Sequence, residues 1–232
     1  LAKIHSVDLL SVGLERLGKH GGFFDRQIRT FNAVSESQAG VEDIETKVPV
    51  GYPPHFHDIV SFLSIRETQP PDRSTLIHGD YKIDNIVFHK TKPCVIGILD
   101  WEMGAIGHPL SDICNVTAPL IAPRLSRISA NYSPGTHGLP SRQDCIRWYQ
   151  EVSGWVPTPD LLWGDAFYAF KSSVIMQGIA ARYSRRQASS ALAKEYGELM
   201  VPFAVLAKKR AEEIKKNAED RASLSYDGAS KM

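Results

Sequence analysis

Apolar residues recur at helical spacing along most of this chain, and three short β-like runs interrupt that rhythm before its midpoint. Residues 1–10 read as the end of a helix that runs out at Ser6-Val7-Asp8, and Gly13, Gly18 and Gly21-Gly22 mark the next stretch as loop. From Phe23 to about Ala39, Phe24, Ile28 and Phe31 fall on one helical face, with Gly40 as the stop. Pro49-Val50-Gly51-Tyr52-Pro53-Pro54 is a turn-rich connector. Ile59, Val60, Phe62, Leu63 and Ile65 predict a helix over residues 57–68 that Pro70-Pro71 end.

Residues 75–78, 85–88 and 94–99 combine Ile and Val with flanking turn residues and predict strands, the last two joined as a hairpin through residues 89–93. From Leu110 onward the chain reads as mostly helical. Leu161, Trp163, Phe167, Phe170, Val174 and Ile179 form one apolar stripe, and residues 129–141 form a surface loop. Residues 203–221 predict a solvated helix in which Glu212 and Lys216 can pair across one turn. The expected class is therefore α+β, mostly helical, with a small β element.

Composition narrows the function more than the fold. The chain has 232 residues, 43% hydrophobic and 23% charged, which suits a packed globular core. Lys and Arg number 27 against 26 for Asp and Glu, a net +1, so no electrostatic case exists for a nucleic-acid or anionic-membrane partner. Cys94, Cys114 and Cys145 are far apart and odd in number, with neither metal spacing nor a disulfide framework. No apolar run approaches the length of a transmembrane helix, so no membrane insertion is expected.

The chemistry sits at the ends of the predicted strands. His78-Gly79-Asp80-Tyr81-Lys82-Ile83-Asp84-Asn85 is followed, fifteen residues after Asn85, by Asp100 in Ile98-Leu99-Asp100-Trp101-Glu102. Phosphoryl transfer from a nucleotide needs a carboxylate to orient the attacking hydroxyl and two oxygen ligands to hold magnesium against the phosphates. Protein kinases place these groups as His-Arg-Asp, four residues, Asn, and then the Asp of Asp-Phe-Gly. Here the order and the four-residue gap between Asp80 and Asn85 are the same.

This pattern, with Leu1-Ala2-Lys3-Ile4-His5-Ser6-Val7-Asp8, Gly107-His108-Pro109-Leu110-Ser111-Asp112 and Gln177-Gly178-Ile179-Ala180-Ala181-Arg182-Tyr183, resembles the aminoglycoside phosphotransferase and choline kinase branch of the kinase-like superfamily. Within that branch the chain is most similar to the kinase-like domains of acyl-CoA dehydrogenase family members 10 and 11. The resemblance covers residues 1–210, with residues 211–232 a charged helix end and tail. It implies an ATP- and magnesium-dependent O-phosphotransferase acting on a small hydroxylated substrate, a hydroxyacyl-CoA or related metabolite.

Asp80 is the candidate base and Asn85 and Asp100 are the candidate magnesium ligands, Asp100 at the point where a buried strand would open into a loop. Each also has a plainer reading as a turn or capping residue. His78 is expected to hold the shape of the loop. Asp112 resembles the family aspartate that accepts catalytic-loop N–H groups, with a helix N-cap as its alternative. Lys82, Glu102 and Arg182 are substrate-binding candidates that could equally face solvent or pair on the surface. His108 departs from the Asp usual at its turn, and His55-x-His57 lacks a third ligand beside it.

No Gly-rich loop or strand lysine precedes His78, so the expectation is a C-terminal catalytic lobe without its N-terminal nucleotide lobe. A fragment, a natural half-kinase and a non-catalytic pseudokinase-like interaction module all fit that expectation. A metal-dependent phosphoesterase fits less well, because Gly-Asn-His is missing. Ser230-Lys231-Met232 differs by one residue from a peroxisomal Ser-Lys-Leu ending, which leaves peroxisome and cytoplasm open.

Overall fold

A computed structural model describes residues 1–122, 125 and 140–229, without the side chains of 222 and 224–229. The described residues form eight α-helices and four short strands: α1 (Ala2–His5), α2 (Phe23–Ala39), α3 (Phe56–Leu63), β1 (Thr75–Ile77), β2 (Ile86–Phe88), β3 (Val95–Ile98), β4 (Ala105–Gly107), α4 (Leu110–Ile121), α5 (Arg142–Ser153), α6 (Leu161–Ser184), α7 (Ala193–Glu198) and α8 (Met200–Ala229). The chain divides into two compact units, one of Leu1–Arg26 with Pro70–Gly164, the other of Gln27–Gln69 with the chain from Asp165 on.

The first unit holds all four strands. β2 and β3 pair antiparallel as the expected hairpin, Ile86 opposite Ile98, with a register irregularity at Val87/Phe88. β1 pairs antiparallel with β4, Thr75 opposite Gly107 and Ile77 opposite Ala105. Sequence reading missed β4, because Ala105-Ile106-Gly107 is too short to carry an alternation to detect. The hairpin also corrects the expectation of a buried strand: Val95 and Ile96 are exposed, and only Gly97 and Ile98 are partly covered.

α1 packs against β1. α5 opens on Ser141, whose hydroxyl accepts the Asp144 N–H while Asp144 returns a bond to the Ser141 N–H, and it closes on Gly154 at φ 69°. α5 packs against α1 and α4 around Ala2, Ile113, Ile146 and Tyr149. Phe24 meets Trp163 edge to face at 4.5 Å. The second unit is helical, with α3 against α8 and Lys208 bonded to Asp58 at 3.1 Å. Phe56, Phe167 and Phe170 are buried there, and Gln177 donates to the carbonyls of Ser35 and Gly51.

Several element ends differ from expectation. α3 stops at Leu63 and a single tight turn over Arg66–Thr68 follows, because Ile65 is extended between them. Asn85 belongs to a tight turn over Ile83–Asn85, ahead of β2. α8 starts at Met200, and Glu212 pairs back to Lys208 at 3.7 Å. The Ser230-Lys231-Met232 ending and most of the expected 129–141 loop lie outside the described residues.

His108 fixes the entry to α4. It is fully buried; its Nδ1 accepts the Leu110 N–H at 3.2 Å, so Nε2 carries the hydrogen that bonds the Pro71 carbonyl at 3.1 Å. Phe24 and Trp155 pack on the ring. Burial lowers its pKa to about 4. The unfolded chain, with an ordinary histidine near 6.5, therefore binds the extra proton first as pH falls. The stabilisation is complete above about pH 6.5 and lost as pH falls towards 4, by about 3 kcal/mol from this group. Urea midpoints should decline across that window, and His108→Gln should flatten the decline.

Candidate active site

The site is assembled where β1 and β3 end and β2 begins. β1 finishes at Ile77, and His78 and Gly79 turn the chain into the loop that carries Asp80. Gly79 sits at φ +84°, and a Cβ there would lie 2.5 Å from the Met103 carbonyl oxygen, so glycine alone fits. The two peptide N–H groups leaving the strand need buried acceptors. Asp112 supplies both: Oδ2 accepts the His78 N–H at 2.7 Å and Oδ1 the Gly79 N–H at 2.9 Å. Asp112 stands in the first turn of α4, where the helix dipole favours a carboxylate, and Pro109 is the N-cap.

A third donor completes this buried carboxylate. His5 Nε2 lies 3.2 Å from Asp112 Oδ2, and His5 Nδ1 lies 2.8 Å from the Tyr149 hydroxyl. Burial pushes the Tyr149 pKa up to about 12, so its O–H donates to Nδ1 and leaves Nε2–H for the carboxylate. Neither His5 nor Tyr149 was singled out from sequence. Their link spans 144 positions, and spacing shows nothing over such a distance.

Asp80 is partly exposed and well held. Lys82 Nζ lies 2.6 Å from Oδ2, Asn85 Nδ2 lies 3.3 Å from Oδ2 and 2.9 Å from the Asp80 carbonyl, and Asn115 Nδ2 lies 3.3 Å from Oδ1. Asn115 also donates to the Tyr81 carbonyl at 3.1 Å. Its signal was a helical offset of three from Asp112, which puts both on neighbouring turns of α4. With Nδ2 committed, Oδ1 is the Asn85 atom left for a cation.

His78 is fully buried, its Nδ1 accepting the Asp80 N–H at 3.3 Å and its Nε2 donating to the Leu99 carbonyl at 2.8 Å. The Leu99 N–H in turn bonds the Asn85 carbonyl at 2.8 Å. Asp100 follows directly, so one bonded network brings Asp80, Asn85 and the segment leading into Asp100 together. Asp100 is exposed and left-handed, at φ 66° and ψ 56°. Trp101 behind it packs on the His78 ring at 4.7 Å.

Of the remaining candidates, Glu102 is exposed in the tight turn Trp101–Met103. Arg182 is exposed in the last turn of α6, in the second unit. His57 packs beside Tyr52 and Phe56. Among the described residues no three His, Cys, Asp or Glu side chains converge as a metal cage. One carboxylate and one amide oxygen nevertheless suit magnesium, which takes its other ligands from phosphates and water.

Asp80, Asn85 and Asp100 thus lie at adjoining strand ends of a kinase-like phosphotransferase fold. Residues 1–140 match the phosphotransferase enzyme family, APH, and the chain belongs to it. It is 32% identical over 209 residues to acyl-CoA dehydrogenase family member 11 of Gallus gallus, covering 88% of this chain and 26% of that protein. Against acyl-CoA dehydrogenase family member 10 of Mus musculus it is 30% identical over 215 residues, covering 89% and 19%. The chain thus spans about a quarter or less of the length of these relatives. The crystal structure of a candidate aminoglycoside phosphotransferase from Ralstonia eutropha superposes with a TM-score of 0.75 at 30% identity, covering 91% of this chain and 62% of that one.

Removing the Asp112 carboxylate would leave two buried N–H donors and His5 without their acceptor. Asp112→Ala should cost about 2–5 kcal/mol in urea unfolding, because unsatisfied buried donors carry their full desolvation penalty. Gly79→Ala should cost at least about 1–3 kcal/mol from the left-handed backbone alone. A near-wild-type midpoint for either variant would contradict this construction of the loop.

Proposed function

We propose that this chain is the catalytic lobe of an ATP- and magnesium-dependent O-phosphotransferase whose acceptor is a small hydroxylated metabolite. The observation that carries the reading is the Asp80–Asn85 contact, tied through Leu99 to Asp100. Asp80 would orient the acceptor hydroxyl and take its proton as the new O–P bond forms. Asn85 Oδ1 and the Asp100 carboxylate would hold magnesium, which when bound neutralises charge on the transferring phosphoryl group. Lys82, ion-paired to Asp80, would place a positive charge beside that group. His78 and Asp112 would keep the loop in register for the chemistry.

Similarity to acyl-CoA dehydrogenase family members 10 and 11 supports a hydroxyacyl-CoA or related hydroxy acid as acceptor, with Glu102 and Arg182 as further substrate contacts. The proposal includes a nucleotide-covering lobe in the intact protein. It is supported by the exposed apolar side chains of Phe88, Val95, Ile96, Leu99, Trp101 and Met103 around the β2–β3 hairpin. Peroxisome and cytoplasm remain the proposed locations.

The test is nucleotide titration with and without magnesium, together with single-turnover transfer, in the intact protein. Asp80→Asn should lower transfer by about 10²–10⁴ and leave magnesium-nucleotide affinity nearly unchanged. Asp100→Ala should lose magnesium-dependent nucleotide binding as well as rate, and Asn85→Ala should do so more mildly. Near-normal transfer by Asp80→Asn would sink the assignment. Nucleotide binding without turnover in the unmodified protein would point instead to a pseudokinase-like interaction module.

A further inference from the structure

α4 meets the loop that carries Asp80 at two places, in matching order. Asp112, in the first turn of the helix, accepts the N–H groups of His78 and Gly79. Asn115, one turn further along the same face, donates to Asp80 Oδ1 at 3.3 Å and to the Tyr81 carbonyl at 3.1 Å. Consecutive loop residues are thus held by two side chains of one helix, the first taking hydrogens and the second giving them. Both partners of Asn115 can only accept, so its amide nitrogen faces them and each of its hydrogens is committed.

This leaves the two oxygens of Asp80 in different surroundings. Oδ2 takes Lys82 Nζ at 2.6 Å and Asn85 Nδ2 at 3.3 Å, whereas among the described residues Oδ1 has Asn115 alone. Oδ1 therefore keeps a lone pair that an incoming hydroxyl can use. The terminal torsion of an aspartate is soft and close to twofold, so donors on Oδ2 alone would leave the carboxylate plane free to turn. A donor to Oδ1 from a helix that is itself tied to the loop through Asp112 removes that freedom.

We propose that Asn115 is a positioning residue for transfer, turning Asp80 Oδ1 towards the acceptor hydroxyl so that Oδ1 is the oxygen that takes the proton. The inference rests on the phosphotransferase reading. The acceptor oxygen forms its bond to the γ-phosphorus of the nucleoside triphosphate as the bond to the nucleoside diphosphate breaks. The hydroxyl proton passes to Asp80 Oδ1, and the electron pair leaves with the diphosphate oxygen.

The experiment is a double-mutant cycle between Asn115→Ala and Asp80→Asn in the intact protein. It is read by transfer from magnesium ATP to the hydroxybutyryl thioester of coenzyme A, by urea midpoint, and by the carbon-13 resonance of the Asp80 carboxylate, assigned by its absence from Asp80→Asn. Asn115→Ala should lower kcat about tenfold to a hundredfold, with the thioester KM and magnesium-ATP affinity nearly unchanged. In the Asp80→Asn background the same substitution should have no further effect, because it acts through that carboxylate. Asn115→Asp keeps the shape but sets acceptors against acceptors, and should transfer more slowly than Asn115→Ala. The Asp80 resonance should move in Asn115→Ala. Should that variant fail to fold by circular dichroism, Asn115→Ser, too short to reach both acceptors, takes its place in the cycle. Equal losses in both backgrounds, or an unmoved resonance, makes Asn115 a tie of the fold only and overturns the inference. A moved resonance with no phosphorylation of the thioester by the unmodified protein upholds the hold of Asn115 on Asp80 and overturns the hydroxyacyl phosphotransferase reading.

Discussion

The arrangement of the site depends on one buried carboxylate. Asp112 accepts the His78 and Gly79 N–H groups and the His5 ring, so it joins the end of β1, the start of α4 and the end of α1. A charge in that position is tolerable because three donors and a helix N-terminus face it. Tyr149 adds α5 to the same set through His5. Four elements with no sequence proximity are thereby held to one pair of oxygens, and the loop bearing Asp80 inherits their rigidity.

Much of this was legible in the sequence, and the parts that were not share a cause. The hairpin, α2 and the buried stripe of α6 could be read because each rests on a local periodicity that packing reinforced. The grouping of Asp80, Asn85 and Asp100 near strand ends could be read because the spacing matches a known loop. β4 could not, since it is held only by its partner β1. His5 and Tyr149 were equally hidden, because the link from Asp112 through His5 to Tyr149 crosses helices and no run of residues records it.

Burial of β3 was misjudged for a related reason. Four apolar or glycine positions in a row suit a strand covered on both faces, but a two-stranded hairpin has no second layer of its own among the described residues. Lys82, a substrate-contact candidate from sequence, lies with its ammonium 2.6 Å from Asp80, a pairing that a two-residue offset along the loop allows.

At Asp100 folding and the proposed chemistry pull in opposite directions. Its left-handed backbone is one that a side chain bearing a Cβ adopts at a cost, and glycine would occupy it with less strain. Position 100 is therefore a place where selection for thermal resistance alone would favour losing the carboxylate. A stability-guided redesign of this lobe that is blind to metal binding would be drawn to glycine there, trading the cation for a more relaxed turn.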